Sequence, residues 1–296
     1  MYEKLLEGAY DLHVHTGPDI SARKLDDFDY TERLKKIGMK GFVIKSHYFN
    51  TAERARLVKK IHPDFNPMGA IALNNSVGGI NPTAVEMAAK DGAKLVWMPT
   101  FDAENEIQYM FNQTGYEELP PWAQVQFDRR KEGKTQSGIT VLEDGKLKAE
   151  VHEVLKIVKE NDLILATGHL SKKEIFALVS AAKGQDIRKV VITHPTFSSI
   201  ALSKEEQKEL ADSGAFLEIC VGCITPAYGA TWEDIYEEIR YIGVDKFILS
   251  SDLGQMNNPY PDEGLIEAVK NLSENGFTNS EIRKMTVENT TFLAEA

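Results

Sequence analysis

The sequence predicts an α/β fold, a (β/α)8 TIM barrel formed by a single domain spanning residues 1–296. Three observations carry that prediction. Short β-branched runs alternate regularly with amphipathic helical patterns, as crossover connections of a parallel sheet require. The runs are nearly continuous in apolar residues, the mark of strands covered on both faces. No glycine-rich G-x-G-x-x-G loop follows the first run, which argues against an open dinucleotide-binding sheet. Eight such units in about 290 residues suit a closed barrel.

The strands are read at 10–15 (YDLHVH), 41–46 (GFVIKS), 67–73 (PMGAIAL), 94–99 (KLVWMP), 162–167 (DLILAT), 189–194 (KVVITH), 215–220 (AFLEIC) and 246–251 (KFILSS). Helical patterns fall between most of them, at 29–37, 51–61, 82–91, 150–160, 171–183, 203–213, 231–242 and 262–273. A glycine or aspartate often precedes the next strand, as in KKIGMKGFVI and LADSGAFLEI, which is how helices commonly end. GGINP at 78–82 lacks the lysine and hydroxyl of a phosphate-binding loop and reads as a tight turn, with Pro82 opening a helix.

One connection is out of proportion. Residues 100–149 follow the fourth strand and hold many aromatics, a Pro-Pro pair and a basic cluster from Arg129 to Lys131. Their tail, SGITVLEDGKLKAE, reads as a β-hairpin across an Asp-Gly turn. Long insertions in barrels usually lie where function is, so this segment is expected to be a lid or wall of the active site, with an oligomer contact or a decorated loop as the alternative.

Formal charge is −11, and the acidic residues are spread along the chain. A nucleic-acid partner is not expected, since a phosphate backbone favours the opposite sign. No apolar run approaches the roughly 18 residues that span a bilayer, and the first residues do not read as a secretory leader. Two cysteines, Cys220 and Cys223, are too few for a disulfide scaffold. The expectation is a cytoplasmic protein with a small-molecule substrate, with homo-oligomerisation possible. The two cysteines read as small apolar fillers.

Histidines gather at the C-terminal ends of these strands. His13 and His15 end the first, His47 follows the second, and His169 and His194 end the fifth and sixth; Asp252 takes the same place after the eighth. In a closed barrel these ends converge on the catalytic face. Three or four imidazoles and a carboxylate are a normal set for a divalent metal, zinc first, with manganese or iron as alternatives. A period of two puts Asp11, His13 and His15 on one face of the first strand, with Leu12 and Val14 on the other. The same period puts Val43, Lys45 and His47 together and turns Phe42 and Ile44 toward the helices. A lysine inside an apolar strand is costly unless paired or functional. Glu218, inside the seventh strand, reads either as a ligand or acid/base group or as half of a structural ion pair. Arg23, in the loop after the first strand, and Tyr48, at the rim after the second, are candidate substrate contacts. His62 and His152 read as surface residues.

DLHVHT at 11–16, GH at 168–169, THP at 193–195 and SSD at 250–252 together resemble the amidohydrolase superfamily of metal-dependent TIM-barrel hydrolases. The resemblance implies that His13, His15, His169, His194 and Asp252 are metal ligands, with Asp252 also accepting a proton from the nucleophilic water. The sequence departs from many binuclear members on the fourth strand, AKLVWMPT, which has Lys94 at its entrance and no charged residue at its exit. GFVIKSHYF is partly similar to the PHP phosphoesterases, in which case His47 would support a second ion. The expected activity is hydrolysis of a C–N or C–O bond (amide, lactone or ester) in a small anionic substrate, using one or two ions. Lys45 would hold the anion or stabilise developing charge. A phosphoesterase, a metal-dependent decarboxylase or lyase, and a non-catalytic metal-binding barrel are the alternatives.

Overall fold

The computed structural model describes residues 2–113, 124–125, 128–129, 131–134, 137–225 and 228–295. Eight parallel strands form one sheet: β1 (Tyr10–Val14), β2 (Gly41–Ile44), β3 (Asn66–Ala72), β4 (Ala93–Trp97), β7 (Ile164–Ala166), β8 (Val190–Ile192), β9 (Phe216–Cys220) and β10 (Phe247–Ser250), hydrogen-bonded in that order. The ends of the series meet through backbone bonds from Asp252 N to His13 O (2.7 Å) and from His15 N to Leu253 O (2.9 Å). The sheet is therefore a nearly closed (β/α)8 barrel, as the sequence predicts.

The crossover helices are α1 (Asp27–Lys36), α2 (Ala52–Ile61), α3 (Pro82–Lys90), α5 (Ala149–Glu160), α6 (Lys172–Gly184), α7 (Lys204–Asp212), α8 (Trp232–Ile242) and α9 (Pro261–Glu274). Several start with reciprocal capping boxes, such as Ser171 with Glu174 and Ser203 with Glu206. The helices α10 (Asn279–Arg283) and α11 (Asn289–Glu295) follow. There, Asn289 Nδ2 donates to Phe247 O and Thr290 Oγ1 accepts from Tyr10 N, which ties the C-terminal segment to the starts of β10 and β1.

Two buried clusters follow the alternation of the strands. Val14, Phe42, Ile44, Val96, Leu165, Ile192, Leu217 and Leu249 pack outward with the helices. Tyr10, Leu12, Val43, Met68, Leu95, Trp97, Val191, Phe216 and Ile248 fill the barrel interior. β2 behaves as expected, with Phe42 and Ile44 outward and Val43 inward. β1 does not. Its register against β2 shifts between Asp11 and Val14, so a uniform period of two fails there. Leu12 joins the interior, whereas Asp11 accepts from Tyr30 Oη of α1 (2.7 Å) and from Ser251 N (2.9 Å). Asp11 therefore does not share the face of His13 and His15. It is a buried anchor between α1 and the end of β10, and burial pushes its carboxyl up to about 6.

The connection after β4 contains α4 (Glu104–Gln113) and a hairpin of β5 (Leu142–Glu143) and β6 (Lys146–Leu147), paired antiparallel. Asp144 and Gly145 form its turn with φ of 47° and 78°, both left-handed as a two-residue hairpin turn requires. Of the aromatics in this connection, Tyr116, Trp122 and Phe127 lie outside the described residues.

Candidate metal centre

Every candidate ligand sits at the C-terminal end of a barrel strand, and the loops there are pinned by backbone contacts. Gly168, with φ of +60°, passes so close to β4's exit that a Cβ would stand 2.4 Å from Met98 O, and the next residue's His169 N donates to Pro99 O. Gly254, with φ of +120°, lies against His15 O, where a Cβ would come within 1.7 Å. Glycine alone fits both places. His194 (φ 26°) and Asp252 (φ 47°) are themselves held in the left-handed region. Such residues cost on the order of 1 kcal/mol or more and persist where surrounding bonds fix them, commonly at functional sites. Here Asp252 N is bonded to His13 O, and His194 O accepts from Phe197 N.

The side chains converge. His13 Nε2 and His15 Nε2 stand 3.0 and 3.1 Å from the same oxygen, Asp252 Oδ1. Lys45 Nζ is 2.6 Å from His13 Nε2 and 4.9 Å from the Trp97 ring centre. The other nitrogen of His13, Nδ1, faces Glu218 Oε2 at 3.1 Å. The His169 and His194 rings lie 4.9 Å apart, His13 and His194 6.2 Å, His15 and His47 5.0 Å, and His47 and His169 6.4 Å. All five histidines are buried. His47 Nδ1 is paired with Thr100 Oγ1 at 2.8 Å, and Asn74 Nδ2 bonds the same hydroxyl.

The electrostatics match the geometry. Burial, with the charge of Arg23, pushes the His15 pKa well below the ordinary imidazole value; burial with Lys45 does so for His47, and burial with His169 for His194. These three rings are neutral, the form that ligates metal. For His13, burial opposes a charge, but the carboxylates of Asp252 and Glu218 outweigh it and raise the pKa. A position at His13 Nε2 that favours positive charge takes either a second proton or a metal ion. Burial alone would raise the Asp252 pKa, yet the charge of His13 and hydrogen bonds from His13 and His15 hold it well below the carboxylate range. Burial lowers the Lys45 pKa despite the nearby carboxylates. Neutral imidazoles around an ionised carboxylate fit a divalent ion. The buried Nδ1 atoms of His15 and His194 have no hydrogen-bond partner among the described residues.

The sequence-predicted residues thus come together, with differences in role. Glu218 Oε2 pairs with His13 Nδ1, and its charge also acts on Lys45. Arg23 lines the cavity over the centre, with Nε and Nη2 bonded to Asp19 Oδ2 at 3.0 and 2.6 Å. Tyr48 is buried with its ring 5.3 Å from Phe101 and 6.4 Å from His47. Lys94 and His152 are exposed, and His62 is partly so. Cys220 and Cys223 pack with Phe197 in a small buried apolar cluster, as the filler reading expects, and both also reach polar groups of the centre. Cys223 Sγ donates to Asp252 Oδ2 at 3.2 Å, and Cys220 Sγ lies 3.5 Å from His13 Nδ1. Ligand atoms of His194, Cys223 and Asp252 lie within 4.8 Å of one another, as do those of His13, Cys220 and Asp252.

Glu106, in the first turn of α4, is a site residue that strand-by-strand reading misses. It is buried, and its Oε2 stands 3.2 Å from His169 Nδ1 and accepts a bond from Ser199 Oγ. Its one sequence signal is an acidic residue near the start of the long insertion, which carries no address. A cavity of about 550 Å³ opens above the centre, with His15, Lys45, His169, His194, Arg23 and Asp252 among its walls. That is within the range of small-molecule sites.

A family model described as a family of unknown function (DUF6282) matches residues 8–218. The chain belongs to that family. The DUF6282 match carries His13 through Glu218, and Cys223 and Asp252 lie C-terminal to it. Among curated proteins, none matches the sequence. Solved structures do match this DUF6282 member in fold. An amidohydrolase from Pseudomonas aeruginosa has a TM-score of 0.59 at 11% identity, covering 99% of this chain and 97% of that one. The probable dipeptidase PvdM from Pseudomonas aeruginosa has a TM-score of 0.66 at 11% identity, covering 99% and 96%. A mutant PTE-like lactonase from Deinococcus radiodurans has a TM-score of 0.55 at 14% identity, covering 99% and 97%. At these identities the likeness is one of fold, a (β/α)8 barrel, and function rests on the site.

Proposed function

We propose that this chain is a metal-dependent hydrolase that cleaves a C–N or C–O bond in a small anionic substrate. One observation carries the reading: the Nε2 atoms of His13 and His15 converge on Asp252 Oδ1 at 3.0 and 3.1 Å, at the floor of a cavity. His13, His15, His169, His194 and Asp252 would hold the ion or ions, with His47 beside them for a second. Zinc is the first choice, and manganese or iron would also suit the donors. When bound, the metal supplies a water activated at neutral pH and polarises the scissile group.

The protein's own groups supply the rest. Asp252 is ionised at neutral pH and accepts the proton released as the nucleophile attacks, then returns it to the leaving group. Glu218 fixes the His13 ring by accepting from Nδ1. Lys45, deep at the end of β2, faces developing negative charge, and Asp19 aims the Arg23 guanidinium toward the cavity to receive a substrate carboxylate. A site with two cations at different depths suits an acid carrying an amide, ester or lactone. A dipeptidase and a lactonase among the fold neighbours span the same two bond types.

Metal content tests the reading. Protein purified without chelator or added metal is measured by plasma mass spectrometry beside His13→Ala. About one or two zinc, manganese or iron ions per chain, lost in the variant, are expected. Absence of bound metal even after reconstitution would overturn the proposal. Solvent ¹⁸O entering the product, from a panel of small carboxylated amides and lactones, then separates hydrolysis from lyase chemistry.

A further inference from the structure

We propose that Cys223 is a direct thiolate ligand at this centre, sharing an ion with His194 and Asp252 and biasing the site toward zinc. The inference rests on the metal-dependent reading above and adds a donor to it. Cys223 ends a short 3-10 helix, Val221–Cys223, that follows β9. It therefore enters the barrel mouth between the strands that carry His194 and Asp252. Its Sγ is 3.2 Å from Asp252 Oδ2, and one ligand atom from each of the three residues lies within 4.8 Å of the others. Zinc bonds of about 2.0–2.3 Å in a tetrahedron separate neighbouring ligand atoms by roughly 3.3–3.8 Å, which small side-chain shifts reach from here.

Independent features support the assignment. The buried His194 Nδ1 has no hydrogen-bond partner among the described residues. The backbone holds the cysteine against the aspartate: Gly222 N donates to Ser251 O at 2.8 Å, and a Cβ on Gly222 would stand 2.6 Å from Asp252 O. Cys223 is also among the residues that line the cavity.

Cys220 provides the contrast. Its sulfur lies 3.5 Å from His13 Nδ1, the nitrogen that faces Glu218, whereas the Asp252 side of that ring is Nε2. Cys220 also falls in a cluster with His13 and Asp252, but Cys223 is the cysteine hydrogen-bonded to the Asp252 carboxylate. Binding by Cys223 releases the thiol proton to Asp252 Oδ2, its present acceptor, and from there to solvent, as sulfur gains its bond to the metal. Thiolate favours zinc over manganese or magnesium because it is a soft donor.

Cobalt(II) titration of the metal-stripped chain tests this, because binding and sulfur ligation give separate signals. Ligand-field bands in the visible report bound cobalt, and a thiolate-to-cobalt charge-transfer band in the near-ultraviolet reports sulfur. The unmutated chain and Cys220→Ser should show both. Cys223→Ser should keep the visible bands, lose the near-ultraviolet band and bind cobalt about a hundredfold more weakly. Visible bands alone in the unmutated chain, or a charge-transfer band that survives in Cys223→Ser, would overturn the inference and leave the hydrolase reading standing. Absence of both signals from the unmutated chain would overturn both. Should the variant fail to fold, iodoacetamide labelling of the unmutated chain gives the same decision: zinc protects Cys223, and equal labelling with and without zinc refutes its role.

Discussion

Glu106 Oε2 stands 3.2 Å from His169 Nδ1, which joins a helix of the long insertion to the candidate metal centre. The neighbouring Asn105 adds to the joint, with Nδ2 donating to His169 O (3.2 Å) and Ser199 O (2.8 Å). α4 thus clamps the loops after β7 and β8 together. A carboxylate on the far nitrogen of a ligating imidazole fixes its orientation and raises its basicity, and removing such a partner typically costs about 10–100-fold in metal affinity. Glu106→Gln should weaken zinc binding by about that factor in a chelator competition. A lowered melting temperature with unchanged affinity would mean that Glu106 only braces the fold.

Gly254→Ala should be among the most damaging single changes outside the ligands. The new methyl would lie 1.7 Å from His15 O at a backbone φ of +120°, and the two segments are bonded to each other from His15 N to Leu253 O. A clash with backbone combined with a disfavoured conformation costs on the order of 3 kcal/mol or more. Urea denaturation should show that loss, and metal content should fall with it because His15 is displaced. A variant as stable as its parent would show that the loop can move aside.

Much of this was legible in the sequence, and the exceptions have physical causes. Parallel strands buried on both faces announce themselves by composition, so the eight strands and the C-terminal placement of His13, His15, His169, His194 and Asp252 could be read directly. The face of Asp11 could not, because the register shift in β1 breaks the alternation on which such readings depend. Glu106 was hidden because a helix inside an insertion has no position in the barrel's repeat. The apolar packing of Cys223 beside Phe197 was legible, but its second neighbour, the Asp252 carboxylate, was not, because a small buried thiol carries no sign of it in sequence. Only the fold brings its sulfur to 3.2 Å from Asp252 Oδ2.

Lys45→Met should separate charge from ligation. Lys45 Nζ touches His13 Nε2, but it also lines the cavity, where it can meet a substrate anion. The methionine variant is expected to retain its metal and lose about 10²–10³-fold in kcat, the usual scale for removing one group that stabilises developing charge. Arg23→Ala should instead raise KM by roughly tenfold with kcat little altered, the pattern of lost ground-state binding. Steady-state kinetics on a substrate identified from the carboxylate panel would show both effects. Loss of metal from Lys45→Met would make the lysine part of the metal shell.

Glu238 should make the stability of the whole chain fall as pH rises, at a site well removed from the chemistry. It lies on α8 facing α7, where Oε1 accepts from Gln207 Nε2 at 2.8 Å and Oε2 has no partner among the described residues. Burial pushes its pKa up to about 7, and the Gln207 bond only partly offsets that. Below about pH 4.3 the side chain is protonated in both folded and unfolded chains and contributes no slope. Between that value and about 7 the folded chain keeps a proton that the unfolded chain has released, so stability declines as pH rises and levels off above 7. Glu238→Gln removes this component of the slope and should raise stability at pH 8 by about 1 kcal/mol, since a neutral amide can sit beside Gln207 without a buried charge. Urea midpoints from pH 5 to 8 for the two proteins measure the difference directly; parallel curves would show that the carboxyl ionises freely in the folded chain.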